Sequence, residues 1–61
     1  MTDSQILTLR GVSEWLGVPE QTLYRWRWEG KGPVGFRAGR GVRYRAVDVE
    51  AWIEEQIAND A

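Results

Sequence analysis

The stretch LYRWRWEGKG, residues 23–32, admits two readings. At period two, Arg25 and Arg27 alternate with Trp26 and Trp28, as on a strand with one cationic and one aromatic face. At a period of about 3.6 the same residues spread around a helix. The flanks decide between them. Upstream, Gly17 suits the left-handed residue that closes a helix, and Pro19 suits the first position of the next one. Glu20 falls in that first turn, where a carboxylate complements the helix dipole. Leu23 and Trp26 then recur at helical spacing, and Gly30, Gly32 and Pro33 stop the run. The pattern predicts a helix over residues 19–29, and the alternation is a coincidence of period.

Outward from that helix, Thr8 is a good N-cap for an earlier one over about residues 9–16. Its apolar positions are Leu9, Val12, Trp15 and Leu16. Gly11 inside it costs about 0.5–1 kcal/mol relative to alanine. Residues 1–6 read as a loose start and residues 59–61 as a loose end. Downstream, PVGFRAGRGVRYR reads as a β-hairpin linked through AGRG. Val34, Phe36, Val42 and Tyr44 are expected on one face, with the arginines on the other. AVDVEAWIEEQIA reads as a third helix, about residues 46–58. Val49, Trp52, Ile53 and Ile57 form its apolar stripe, and Glu50, Glu54 and Glu55 lie mostly away from it.

The 61 residues make one domain, 1–61, with thin stability, because so short a chain buries only about 60% of its unfolded surface. With no cysteine and no histidine, zinc fingers, cysteine nucleophiles and histidine bases are excluded. No cofactor is called for. The seven aromatic side chains are the available bulk, and most are expected in the core. No apolar run approaches the ~20 residues of a membrane span, and the lack of cysteine fits a cytoplasmic protein. The net charge of −1 hides a strong asymmetry. Residues 21–45 carry seven cations against Glu29 alone, while residues 46–61 carry five acids and no cation. Seven of the eight cations in the chain are arginines, the residue suited to phosphates and base edges, so a polyanionic partner is indicated.

Two short helices joined by a glycine-containing turn form the DNA-reading helix-turn-helix. Val12, Ser13 and Leu16 face inward from the first helix, Val18 plugs the corner, and Leu23 and Trp26 face inward from the second. The small Ser13 lets the helices approach. LTLRGVSEWLGVPEQTLYRWRWEGKGP followed by GRGVRYRAVDVEAWIEEQ resembles the excisionase-type DNA-binding domains, small α+β winged helix-turn-helix proteins related to the DNA-binding part of MerR-type regulators. The resemblance covers about residues 6–57. Its most specific pieces are LGVPEQTLYRW, GRGVRYR and DVEAWIEE. Pro19 departs from the Ser or Thr cap common in the family, and Gly11 from a common Glu. The resemblance implies that the second helix enters the major groove of double-stranded DNA and the hairpin wing the neighbouring minor groove. It also implies a phage or mobile-element recombination directionality factor that steers a tyrosine integrase toward excision.

Rotation at about 100° per residue puts Pro19, Leu23, Trp26 and Gly30 on one side of the second helix, and Gln21, Tyr24, Arg25 and Trp28 on the other. Gln21 can pair with adenine, Arg25 with guanine, and Glu20 can accept from a cytosine amino group. Thr22 and Tyr24 carry hydroxyls suited to phosphate. Arg27 lies at the edge of the inward face, its stem over the core and its head toward a phosphate. At the wing tip, Arg40 between two glycines suits a narrow minor groove, with Arg37, Arg43 and Arg45 toward phosphates. Phe36 and Tyr44 could form a stacking platform for single strands, but core packing is favoured. The acids sit on an exposed helical face without a partner for acid–base work, so an enzyme is not expected. With no effector domain or dimerising helix in the sequence, an architectural DNA-binding role is expected, with weak head-to-tail association of monomers on adjacent sites. A small transcription regulator of a phage or island promoter is the alternative, and an adaptor using the acidic third helix a third reading.

Overall fold

The computed structural model describes residues 5–60. The elements run β1 (Ile6–Thr8), α1 (Leu9–Leu16), α2 (Glu20–Glu29), β2 (Gly35–Ala38), β3 (Gly41–Arg45) and α3 (Ala46–Asp60). This is an α+β helix-turn-helix with a wing. The expectation of loose ends falls partly outside the described residues. Where they are described, Ile6 lies in a strand, and residues 59–60 complete α3.

The first helix starts and stops where its capping residues dictate. The Thr8 hydroxyl accepts from the Gly11 N–H at 2.9 Å, satisfying one of the orphan donors of the first turn. Gly17 takes the left-handed conformation at φ 72°, and its N–H and that of Val18 both donate to the Ser13 carbonyl, at 2.9 and 3.1 Å. The Ser13 hydroxyl in turn donates to the Val18 carbonyl. Ser13 therefore ties the corner from both sides, a larger part than providing room for close approach.

The second helix begins one residue later than the sequence suggests. Pro19 is extended (φ −63°, ψ 150°) and stands at the N-cap, with its carbonyl accepting from Thr22 and Leu23 at 3.0 and 3.3 Å. Proline's fixed φ suits either position, so only ψ distinguishes them. At the far end, Gly30 at φ 75° and Lys31 donate back to Arg27 and Trp26, at 3.3 and 2.7 Å, closing a Schellman motif. The chain then folds under Trp26: Gly32 packs flat on its indole and Pro33 is buried. Trp26 also meets Trp52 of α3 with ring centroids 5.4 Å apart and tilted by 42°, pinning α2 to α3.

The sheet differs from the expected two-stranded hairpin in two ways. First, it has three antiparallel strands in the order β1-β3-β2, with Leu7 opposite Tyr44. Ala46 also donates to the Gln5 carbonyl at 2.8 Å. Second, its faces are not those expected. The turn has only two residues, Gly39 at φ 62° and Arg40, so Ala38 pairs with Gly41 and Phe36 with Arg43. A register moved by one residue turns every side chain of a strand over. Val42 and Tyr44 thus face the helices together with Gly35 and Arg37. Phe36 shares the outer face with Arg43, and Val34 precedes it, 69% exposed. Gly35 faces inward because the Tyr44 ring lies against it: an added β-carbon would stand 2.8 Å from Tyr44 Cε2.

The core is small. Leu9, Val12, Leu23, Val42, Tyr44 and Val49 are buried, and Leu7, Leu16, Val18, Trp26 and Ile53 pack around them. Each fully buried side chain of this size contributes about 1.5–3 kcal/mol. The aromatic residues do not form this core, contrary to expectation. Only Tyr44 is buried; Trp26 and Trp52 are half-buried; Trp15, Tyr24, Trp28 and Phe36 are exposed. The apolar stripe of α3 also ends early. Beyond Ile53 the helix runs past the body of the domain, leaving Ile57 in solvent.

Candidate nucleic-acid interface

The corner and the Trp26 contact hold α2 by its inner face, so its opposite face is open. Glu20, Gln21, Tyr24, Arg25 and Trp28 are all exposed along it, as the rotation of the helix requires. Thr22 lies on the flank and is half-buried. Glu20, at the N-terminus of α2, stands 4.0 Å from Arg10 of α1, so its carboxylate has a cation beside it. Arg10 also reaches Glu14, at 3.9 Å. Both pairs are solvent-exposed and worth at most about 1 kcal/mol.

The wing folds back beside the C-terminal half of α2. Arg27 bridges the two: its Nη1 donates to the Gly35 carbonyl at 3.3 Å. The remaining guanidinium donors stay available. Between helix and wing runs an open groove of about 460 Å³. Tyr24, Arg27 and Trp28 line one wall; Arg37, Arg40 and Val42 line the other. The inward-turned register, which the sequence pattern did not show, is what brings Arg37 to this groove.

The other two wing arginines are elsewhere. Arg43 stands on the outer face opposite Phe36 and donates to the Val42 carbonyl at 3.1 Å. Arg45 is also on the outer face, engaged by Asp48 in the first turn of α3. Its Nε and Nη2 donate to the two carboxylate oxygens at 2.7 and 3.0 Å. That hydrogen bond, with the attraction of the Asp48 charge, raises the Arg45 guanidinium above its ordinary range. On the inner face, burial raises the Tyr44 hydroxyl, with the nearby Arg27 charge opposing. Tyr44 is thus a neutral core ring and Arg45 a fixed cation holding the start of α3. Of the ten residues singled out from the sequence, the groove collects Tyr24, Arg27, Arg37 and Arg40. Gln21 and Arg25 are on the adjoining face of α2.

The helix-turn-helix domain family model matches residues 6–57. The chain belongs to the helix-turn-helix domain family. The match spans β1 through most of α3, so in this helix-turn-helix domain the wing and the third helix belong to the same unit as the motif. Neither the curated proteins nor the solved structures give a match to it. Membership in a family built on a DNA-reading motif makes DNA the indicated partner of this helix-turn-helix domain. Trp28 and Val42 complete its groove. The rotation of the helix already put Trp28 on this side with Tyr24; the place of Val42 depends on the register and was not legible. No described helix is long and apolar enough to cross a membrane.

Proposed function

We propose that this protein binds double-stranded DNA sequence-specifically and acts architecturally, without catalysis. In this reading α2 lies in the major groove and the wing tip enters the adjacent minor groove. The observation that supports it is the disposition of charge around one concave surface. Arg27, Arg37 and Arg40 converge on the groove beside the open face of α2, while Glu50, Glu54, Glu55 and Asp60 of α3 lie exposed on another element. Gln21 and Arg25 are the base-reading side chains, by bidentate pairing with adenine and guanine. Glu20 serves mainly the helix dipole and Arg10. Thr22, Tyr24, Arg43 and the three groove arginines serve the backbone. Arg45, held by Asp48, contributes field more than contact.

Within DNA binding, the resemblance to the excisionase-type domains supports a recombination directionality factor, working in the cytoplasm of a bacterial host on attachment-site DNA with a tyrosine integrase. The acidic α3 of one monomer would then meet the basic wing of the next along adjacent sites. The deciding experiment is a mobility-shift assay followed by footprinting on candidate attachment-site duplexes at low salt. A protected site with cooperative occupancy of neighbours is expected. Failure to retard any duplex would sink the DNA-binding reading and leave α3 as the surface to test for a protein partner. Binding confined to promoter DNA would make it a transcription regulator instead.

A further inference from the structure

Trp28 is the most exposed large apolar side chain described, with 89% of its surface in solvent, and no part of the core uses it. It stands four residues after Tyr24, which is itself 53% exposed, so the two rings lie on the same side of α2, about one turn apart. Across the groove stand Arg37 and Arg40, and Arg27 stands beside the rings. One wall is therefore mainly aromatic and the other mainly cationic. Such a surface fits a polymer that alternates apolar and anionic groups.

The geometry of a duplex says which polymer segment comes here. A major groove and the minor groove next to it are separated by a single sugar-phosphate strand. If α2 occupies the one and the wing the other, that strand must run between α2 and the wing. This step rests on the docking proposed above. We propose that the groove is a saddle for one DNA backbone strand, in which Trp28 and Tyr24 pack on deoxyribose faces while Arg27, Arg37 and Arg40 hold the flanking phosphates. The rings are spaced by about 6 Å along the helix axis. That is close to two nucleotide steps of about 3.4 Å each. Two sugars two steps apart on one strand are thus within reach. Deoxyribose offers apolar carbon at its 2′ position, where ribose carries a hydroxyl that donates and accepts. An indole covering that position tolerates the methylene and desolvates the hydroxyl. The saddle therefore selects DNA over RNA at one or two backbone positions, without reading any base.

The test compares wild type, Trp28→Ala, Arg25→Ala and Arg40→Ala on a footprinted duplex, with a single ribonucleotide walked along each strand. Trp28 is 89% exposed and stands outside the core cluster, so Trp28→Ala should melt like wild type. It should bind every duplex roughly tenfold more weakly, from lost apolar cover, with base preference unchanged. Its salt slope should equal that of wild type, because no phosphate contact is lost, whereas Arg40→Ala should lower the slope by about one. One ribonucleotide between the two grooves should weaken wild type roughly five- to tenfold and leave Trp28→Ala unaffected. The saddle is overturned if Trp28→Ala binds as wild type, or if its base preference shifts. It is equally overturned if the free protein self-associates by sedimentation and the variant does not. If Arg25→Ala and Arg40→Ala are also without effect, the docking itself is wrong and not the saddle alone.

Discussion

Replacing Gly35 with alanine should cost this protein more than any other single added methyl group in the sheet, and Gly41 supplies the control. Gly35 is in a strand with no positive φ, so the backbone accepts alanine without strain. A β-carbon there would stand 2.8 Å from Tyr44 Cε2, and 3.1 Å from both Cδ2 and Cζ. All three atoms belong to a ring that is 2% exposed and clamped among Leu7 and the rest of the core. Neither the ring nor the paired strand can yield cheaply, so overpacking should cost about 1–3 kcal/mol. Alanine returns about 0.4–1 kcal/mol by reducing the freedom of the unfolded chain. At the middle of both ranges the net loss is about 1 kcal/mol, which in a domain of this size lowers the melting temperature by about 4–8 °C. At Gly41 the approach is closer still, 2.5 Å from Arg43 Nη1. That atom is the far end of a flexible side chain, which can swing away for the loss of one partly exposed bond to the Val42 carbonyl. Gly41→Ala should therefore stay within about 0.5 kcal/mol of wild type. Thermal and urea denaturation without DNA reads both. If Gly35→Ala is neutral, or if Gly41→Ala is the worse of the two, then distance rather than rigidity governs and the assigned register of the wing is wrong.

Three further substitutions probe the corner and the DNA surface. Ser13→Ala removes the hydroxyl that donates to the Val18 carbonyl and should cost about 1 kcal/mol. A melting temperature within a degree of wild type would mean that the two carbonyl bonds of the turn suffice alone. Arg25→Ala should weaken specific binding by about 1–3 kcal/mol and relax preference at one base pair, measured by competition with single-base variants of the site. A uniform loss across sequences would reassign Arg25 to a phosphate. Arg40→Ala should reduce the slope of log affinity against log salt by about 0.9. An unchanged slope would place the wing tip off the duplex.

The parts of this fold legible in the sequence are those set by local backbone chemistry. Thr8, Gly17 and Gly30 each mark a helix end through their own conformation or side chain, and they mark it wherever the helix goes. Leu23 and Trp26 give α2 its inner face for the same reason. Pro19 shows the limit of that logic, since the first helical position and the cap share its φ. The other misreadings concern partners distant in sequence. Ile6–Thr8 is a strand only because the second edge of β3 is free to pair with it, and three residues carry no pattern of their own. Phe36 looked like core because alternation was counted from the residues and not from the turn. A two-residue link pairs odd positions with even ones, and Tyr44, needing room, took the side where Gly35 leaves it. Ile57 continues a stripe whose partner elements have already ended.

The same distinction separates the legible and hidden parts of the candidate site. Gln21, Tyr24, Arg25 and Trp28 share a face because a helix repeats every 3.6 residues, so that surface follows from α2 alone. The groove does not. It needs Arg37 turned inward, which follows from the turn length, and it needs the wing held beside α2, which follows from Arg27 reaching the Gly35 carbonyl. Gly35 thus has two parts. Its missing side chain seats Tyr44 and sets the inner face of the wing, and its carbonyl anchors that wing to α2. A substitution there should consequently disturb DNA binding beyond its effect on stability, because Arg37 and Arg40 are carried by the strand that Gly35 begins. Gly35→Ala assayed well below its melting temperature should bind the duplex more weakly than wild type, while Gly41→Ala, although next to the wing tip, should not. Equal affinities for all three would mean that the wing finds its place on DNA regardless of how the free protein holds it.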